Sequence, residues 1–187
     1  MQISVRGTNG SAKSTLVRSL IDDFKGVPIY GILGPRYPEA YECKIKGVKK
    51  PTYVLGPYHT PTGGCDQIQP YEVLLELIER YAKKGHIVFE GVIISSGHGR
   101  VGALMDKLNC EPVYAFMTTS LEDCIKNVKS RRAKRADARE FDPKNVIKKH
   151  QNVVRHKAKL LERKARVVNL QPARDSQQLV ALLRSAK

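Results

Sequence analysis

Short apolar runs alternate along the chain with segments in which apolar residues recur every three or four positions. The runs at residues 2–6, 28–33, 86–90, 113–118 and 166–170 predict five β-strands, because each is short and bounded by turn residues. Strands that alternate with helices predict an α/β fold with a doubly wound parallel sheet of about five strands. Such a sheet carries helices on both faces and binds ligands at the carboxyl ends of its strands.

The first two helical segments each have one apolar face and a glycine stop. The first begins near Ser11 and ends at Gly26, and the second covers residues 70–84 and ends at Gly85. Their apolar faces are expected to pack on the sheet. The faces consist of Leu16, Val17, Leu20, Ile21 and Phe24 in the first helix and Tyr71, Leu74, Leu75, Ile78 and Tyr81 in the second.

Two more helices are predicted in the second half of the chain. Thr119 and Glu122 have the spacing of a capping box. In the helix that follows, the residues expected to face the sheet are Leu121, Cys124, Ile125 and Val128. Asp142 and Pro143 are typical of a helix start. The segment from there to Lys164 is expected to cover the sheet with Val146, Ile147, Val153, Val154, Leu160 and Leu161.

The loop after the first strand has the composition of a nucleoside-triphosphate-binding P-loop. Small residues let backbone N–H groups wrap a phosphate, and the following helix adds its positive dipole end. Lys13 would reach the outer phosphates of ATP, and the Ser14 hydroxyl would bind Mg²⁺. Ala12 stands where glycine usually precedes the lysine, which we interpret as a tolerated variant. The predicted nucleotide-binding residues are Gly7, Thr8, Asn9, Gly10, Ser11, Ala12, Lys13, Ser14 and Thr15.

Residues 34–67 interrupt the alternation of strands and helices with a segment rich in Gly, Pro and Tyr. They contain a possible hairpin with arms at 44–49 and 52–55. Insertions of this length in a compact domain are usually functional. Because the tail of the insertion would lie near the strand ends, we expect it to hold a phosphate acceptor.

Two carboxylates are candidates for accepting a proton from an attacking hydroxyl. Asp66 lies in the tail of the insertion, although a role at a helix N-terminus is equally open. Glu90 ends the run at residues 86–90 and precedes Gly91, which resembles a Walker B position with Glu in place of Asp. Glu90 would either bind Mg²⁺ through water or act as the base.

Positive charge is concentrated in one part of the chain. The 187 residues carry a formal net charge of +15, yet residues 1–125 contain 14 Lys/Arg and 13 Asp/Glu, whereas residues 126–166 contain 16 and 4. Such a block is typical of a surface that contacts a polyanion. A solvated lysine-rich helix with phosphate-binding arginines is the alternative. A membrane-surface role is disfavoured, because the apolar face lacks aromatic anchors.

Several arginines are placed to contact phosphate. Arg131 and Arg135 are four positions apart and therefore share a helix face. In small-molecule kinases an arginine-bearing lid of this kind closes over the nucleotide and stabilises the transferring phosphoryl group. Arg100 follows the strand that ends at Glu90 and would orient a phosphate or the substrate.

Other function classes find little support in the sequence. No run approaches the roughly 18 to 20 apolar residues of a membrane span, and the N-terminus enters a strand directly, so a cytoplasmic protein is expected. The four cysteines lack the spacing of zinc ligands, which predicts reduced, mostly buried thiols. We expect one domain over residues 1–187, with 34–67 as a substrate-side insertion and 126–166 as a basic lid and helix.

The order of strand, P-loop and lid arginines resembles the nucleotide and nucleoside kinase branch of P-loop phosphotransferases. Three segments are more specifically similar to the 5-hydroxymethyluracil DNA kinases of phages with hypermodified thymidine. They are residues 63–68, residues 89–91, and Arg131 and Arg132 followed by residues 141–143. This resemblance implies ATP-dependent phosphorylation of the 5-hydroxymethyl group of a deoxyuridine within DNA, in a phage-infected host cell.

We therefore expect a DNA-modifying kinase that uses ATP and Mg²⁺ and needs no protein partner. The expected catalytic residues are Lys13, Asp66, Glu90, Arg131 and Arg135, and the expected metal ligands are Ser14 and Glu90. The expected substrate-side residues are Arg36, Gly64, Arg100, Lys148, Lys149 and Arg155. Two alternatives are a deoxynucleoside monophosphate kinase similar to thymidylate kinase and a DNA-binding ATPase module without a phosphoryl acceptor.

Overall fold

A seven-stranded sheet forms the centre of the computed structural model, which describes residues 1–60, 63–95, 99–108, 112–134, 141–173 and 175–186. The strand order across the sheet is β2-β3-β4-β5-β1-β6-β7. The strands, in chain order, are β1 (Gln2–Arg6), β2 (Val27–Ile29), β3 (Ala40–Cys43), β4 (Thr52–Leu55), β5 (His86–Glu90), β6 (Pro112–Met117) and β7 (Val167–Leu170).

The sheet is mostly parallel but has a mixed edge. Strands β4, β5, β1, β6 and β7 run parallel, whereas β3 is antiparallel to both β2 and β4. The prediction of about five strands was therefore too low, because the insertion contributes β3 and β4. The hairpin was also misplaced: Cys43 pairs with Thr52, so the predicted arm at residues 44–49 belongs to the connection.

Helices flank both faces of this sheet. They are α1 (Lys13–Asp23), α2 (Tyr71–Ala82), α3 (Val92–Ser95), α4 (Gly99–Lys107), α5 (Leu121–Lys134), α6 (Lys144–Glu162) and α7 (Gln177–Arg184). Apolar side chains of α1 and α7 form one buried cluster against the sheet. Those of α2, α4 and α6 form a second cluster on the opposite face. None of the helices among the described residues combines the length and apolarity needed to cross a bilayer.

The starts of two helices differ from the sequence prediction. Helix α1 begins at Lys13 rather than near Ser11, because Ala12 has the left-handed backbone conformation with φ 66° and ψ 15°. Helix α5 is capped by Ser120, whose Oγ accepts a hydrogen bond of 3.0 Å from the backbone N–H of Asp123. The predicted cap Thr119 instead donates its hydroxyl to the Ser11 carbonyl at 2.9 Å. This contact ties the start of α5 to the loop before α1.

The long helices also bury fewer residues than predicted. Helix α6 buries Val146, Val153 and Leu160, which are seven positions apart, while Val154 and Leu161 are each 54% exposed because they lie one residue further round the helix. Helix α5 packs mainly against α6 rather than against the sheet. Its buried residues Cys124 and Val128 form a small third cluster with Val146.

Candidate functional site

The loop that joins β1 to α1 lies at the carboxyl edge of the sheet and is tightly folded. Its turn is closed by a hydrogen bond of 3.3 Å from the Ser11 N–H to the Thr8 carbonyl. Gly10 has φ +81°, and a Cβ there would fall 2.3 Å from the Cys124 carbonyl oxygen. Helix α5 therefore packs directly on this loop, and no side chain larger than hydrogen fits at Gly10.

Lys13 lies at the first position of α1 and is almost completely buried. Its side chain is 6% exposed, and its Nζ donates a hydrogen bond of 3.0 Å to the Thr8 carbonyl. Burial lowers the pKa of Lys13, while the nearby Glu90 carboxylate acts in the opposite direction. The first backbone N–H groups of a helix have no partner within the helix, so they and the lysine together form a site for an anion.

Glu90 ends β5 beside this helix start. Its Oε1 accepts a hydrogen bond of 2.7 Å from the Ser14 hydroxyl, and its side chain is buried. Burial raises the pKa of Glu90, the charge of Asp66 raises it further, and Lys13 opposes both effects. A carboxyl group in this environment binds a proton more readily than an ordinary glutamate.

Asp66 approaches the same place from the insertion. It lies in a short 3-10 turn (Cys65–Gln67), and its two carboxylate oxygens accept the backbone N–H groups of Val92 at 2.7 Å and Ile93 at 3.2 Å. Asp66 is exposed to solvent, in contrast to Glu90. Its present contacts position the turn after β5.

Gly64 allows the insertion to pass close to Glu90. Its φ is +103°, and a Cβ there would fall 2.1 Å from Glu90 Oε1. Any larger residue at this position would therefore displace the Glu90 carboxylate. The N–H of Gly64 is bonded to the Pro57 carbonyl at 3.2 Å, which closes the tail of the insertion into a compact loop.

Lys13, Glu90 and Asp66 line one cavity of about 600 Å³, and Gly64 is not among its lining residues. It brings together the predicted loop residues 9–15 with Asp66, Glu90 and Arg131. Gly7 and Thr8 do not line it. The Gly7 N–H donates a hydrogen bond of 3.1 Å to Ser95 Oγ, which attaches the loop to α3. Five of its lining residues were not among the predicted site residues, namely Gly63, Val92, Asn127, Pro172 and Ala173.

Asn127, Pro172 and Ala173 belong to two parts of the chain that approach the loop only when the chain is folded. Asn127 precedes Arg131 by four positions on α5, and its side-chain amide donates to the Gly10 carbonyl at 2.9 Å. Pro172 and Ala173 follow β7 at the carboxyl edge. That edge was predicted to bind ligands, so the position after the last strand was the signal available for Pro172 and Ala173.

Other predicted site residues lie outside this cavity. Arg36 is exposed in a turn of the insertion, and Lys148, Lys149 and Arg155 lie on α6. Arg100 forms an ion pair of 2.7 Å with Glu72 and lies over the Tyr71 ring, 5.5 Å from its centroid. Arg100 is therefore paired with α2 and is not among the residues that line the cavity. Arg135 is outside the described residues.

Three of the four cysteines are buried free thiols, as expected, and Cys110 is outside the described residues. Burial raises the pKa of Cys43 to about 12 and that of Cys124 to about 11. Thiols with such pKa values are poor nucleophiles at neutral pH. Within the described part of the chain, no three His, Cys, Asp or Glu residues cluster in a way that could hold a metal ion.

No family model matches the sequence. The chain is, however, similar to three phage proteins described as "5-hmdU DNA kinase". It is 34% identical over 146 residues to that of Pseudomonas phage PaMx11, which covers 77% of this chain and 76% of the relative. It is 29% identical over 168 residues to the protein of Pseudomonas phage M6, and the match covers 85% of this chain and 84% of the relative. It is 28% identical over 167 residues to the protein of Delftia phage PhiW-14, and the match covers 81% of this chain and 60% of the relative.

Proposed function

The chain belongs to the 5-hmdU DNA kinase family, and from this premise we propose that it transfers the γ-phosphoryl group of ATP to the 5-hydroxymethyl group of deoxyuridine in DNA. The observation that carries the proposal is that a buried cation, Lys13, and a buried carboxylate, Glu90, line the same cavity. Phosphoryl transfer needs a charge to stabilise the phosphates and a group to receive the acceptor's proton.

The nucleotide occupies the part of the cavity that is lined by the loop before α1. Backbone N–H groups of residues 10–14 surround the phosphates, and Lys13 contacts the β- and γ-phosphates. The nucleotide base lies toward Asn127 and the loop of Pro172 and Ala173, which line the same cavity. Arg131 also lines it and stabilises the charge that develops on the transferring group.

Mg²⁺ fits the oxygen donors at this position. Magnesium in phosphoryl-transfer sites is bound by one or two protein oxygens together with water and substrate phosphates, so a dense ligand cluster is not required. The Ser14 hydroxyl would hold the ion. Glu90 Oε1 lies 2.7 Å from the Ser14 Oγ, so Glu90 would reach a water bound to the ion. When bound, Mg²⁺ supplies positive charge that screens the phosphate oxygens.

Glu90 is the proton acceptor in this proposal. Its raised pKa matches a general base better than Asp66, whose two oxygens already accept backbone N–H groups. The hydroxymethyl oxygen forms a bond to the γ-phosphorus while the bond from that phosphorus to the β,γ-bridging oxygen breaks. The hydroxyl proton passes to the Glu90 carboxylate, and ADP is the leaving group.

The DNA backbone contacts the exposed cations of α6. The side chains of Lys148 and Arg155 are exposed and form no ion pair or hydrogen bond among the residues that the structure describes. Cations without an internal partner remain available to phosphates and release counterions when DNA binds. This surface supplies affinity for a polymer, which a kinase of free nucleotides does not need.

The test is to incubate the protein with γ-labelled ATP and, in parallel, DNA containing 5-hydroxymethyluracil, the same DNA with thymine, and free 5-hydroxymethyl-deoxyuridine monophosphate. We expect label only on the hydroxymethylated DNA, and about 10²- to 10³-fold slower labelling with the Lys13→Ala variant. Label on the free nucleotide alone would replace the proposal with a monophosphate kinase. Hydrolysis of ATP without labelled DNA would replace it with a DNA-binding ATPase.

A further inference from the structure

A buried carboxylate outside the cavity, Glu39, holds the first part of the insertion in place. Glu39 is 2% exposed. Its Oε1 accepts the Tyr81 hydroxyl at 2.6 Å and an Arg80 guanidinium N–H at 3.1 Å. Its Oε2 accepts the backbone N–H of Ile32 at 2.7 Å. One side chain thus anchors the loop between β2 and β3 to helix α2.

This anchored loop presents aromatic rings to solvent. Tyr30 is 52% exposed and Tyr37 is 49% exposed. The Tyr37 ring lies against the His59 ring, with centroids 5.2 Å apart and planes inclined by 54°. Arg36 is the exposed neighbour of Tyr37. We call Arg36, Tyr37 and His59 the aromatic surface.

The aromatic surface lies on the acceptor side of the proposed active site. Strands β2 and β4 point in the same direction as β5, so the loops that follow them reach the same carboxyl edge. His59 belongs to the loop after β4, and that loop continues to Gly64, which touches Glu90. Its neighbour Thr60 accepts a hydrogen bond from the Arg18 guanidinium on α1.

The nucleotide side lies at the other end of the sheet. Pro172 and Ala173 follow β7, the last strand in the order, whereas the aromatic surface lies by β2, the first. With ATP between β1 and β7, the acceptor has to enter from the β2 to β4 side. A DNA strand that delivers its target base to Glu90 therefore passes the aromatic surface.

We propose that the aromatic surface stacks the bases adjacent to the target nucleotide in an unpaired strand of DNA. The inference rests on the proposed function and adds to it the form of the substrate. A base that enters the cavity must leave the helical stack, and its neighbours then lose a stacking partner. Exposed rings supply a replacement without regard to sequence, and Arg36 is placed to contact a phosphate.

Binding to an unmodified single-stranded oligodeoxynucleotide tests this directly. The probe carries 2-aminopurine, whose fluorescence falls when it stacks. For Tyr37→Ala we expect about 5- to 150-fold weaker binding, the range for losing one base–aromatic stack, together with loss of the quench. Tyr37→Phe, the matched control, keeps the ring and should bind as the wild type does. The slope of log affinity against log salt should not change in either variant, because no phosphate contact is removed.

Three outcomes would overturn the inference: wild-type affinity and quench in Tyr37→Ala, equal weakening in Tyr37→Phe, or a change of oligomeric state with DNA binding intact. The last would make the surface a contact between protein chains. Binding to an unmodified strand needs no phosphoryl transfer, so the inference can fail or hold separately from the proposed function. If binding depends on Tyr37 but no DNA is labelled, only the proposed function is refuted. If DNA is labelled but binding does not depend on Tyr37, only this inference is refuted.

Discussion

The loop before α1 and helix α6 both carry cations, but the two regions place them in opposite environments. Lys13 in the loop is 6% exposed and bonded to the Thr8 carbonyl. Lys148 and Arg155 on α6 are exposed and lack ion pairs among the described residues. A desolvated charge acts strongly on the atoms it touches, whereas exposed charges act together through a field that salt screens. Single substitutions should therefore have large effects in the loop and small ones on α6.

The largest expected effect is that of Glu90→Gln, which removes the proposed base from the buried region. We expect phosphorylation of hydroxymethylated DNA to fall by about 10²- to 10⁴-fold in single-turnover assays. Asp66→Asn should lose far less, because an amide oxygen can still accept a backbone N–H at the start of α3. A higher Mg²⁺ concentration should restore activity to a variant that has lost a metal ligand, but not to one that has lost the base. Full activity of Glu90→Gln at ordinary Mg²⁺ would exclude the proposed role.

Lys13→Ala should cost about 10²- to 10³-fold in rate, the usual loss for one preorganised charge at a transferring phosphoryl group. Lys148→Ala is the matched control, since it removes the same charge from the exposed region and should keep most of the activity. Circular dichroism of both variants checks that they fold. A folded Lys13→Ala variant that retains more than about a tenth of the rate contradicts the contrast between the two regions.

The sequence predicted the parts of the fold that depend on local pattern. Strands β1 and β5 match the predicted runs. In β5 the consecutive apolar residues Ile87, Val88 and Phe89 are all buried, as expected of a parallel strand covered on both faces. Strand β3 was missed, since its four residues include the charged Glu42 and form a strand only by pairing with β2 and β4. A strand this short owes its structure to the neighbours it pairs with rather than to intrinsic preference.

The site shows the same division. Residues 7–15 and Glu90 could be proposed because each follows an apolar run directly along the chain. Asn127 could not, because it reaches the cavity only through the packing of α5 on the loop before α1. Arg100 was assigned to the substrate from its position after β5, and its ion pair with Glu72 on α2 gives no signal in the local sequence. Contacts between distant segments have no local signature.

Charge reversal on α6 addresses the exposed side of the comparison. Replacing Lys148, Lys149 and Arg155 by Glu should reduce the slope of log DNA affinity against log salt by about 0.7 to 0.9 for each lost phosphate contact. Between about 50 and 200 mM salt, affinity should then fall about 20- to 40-fold less than in the wild type. ATP affinity, measured by calorimetry, should not change. An unchanged slope would mean that DNA does not contact this face.

The pH dependence of the rate reports on the buried side. Glu90 must be ionised to accept a proton, and its pKa is raised by burial and by the charge of Asp66. The rate at saturating substrates should therefore fall with acid at a pH above that of an ordinary glutamate. Asp66→Asn removes the neighbouring negative charge, so its acid limb should move to lower pH. A shift to higher pH, or none, would show that another group controls the limb.

The smallest effect concerns the backbone of the two regions. Ala12 in the loop and Lys164 after α6 both have positive φ, 66° and 56°, which costs a non-glycine residue about 1–2 kcal/mol. Glycine removes this strain but adds about 0.4–1 kcal/mol of unfolded-state entropy, so Ala12→Gly and Lys164→Gly should each raise the free energy of unfolding by roughly 0.5 to 1 kcal/mol. Urea denaturation measures the gain. ATP affinity should stay the same in both, because glycine keeps the conformation that the loop already has. If only Lys164→Gly is stabilised, the Ala12 methyl group makes packing contacts in the loop. Those contacts would then offset the free-energy cost of the positive φ at Ala12.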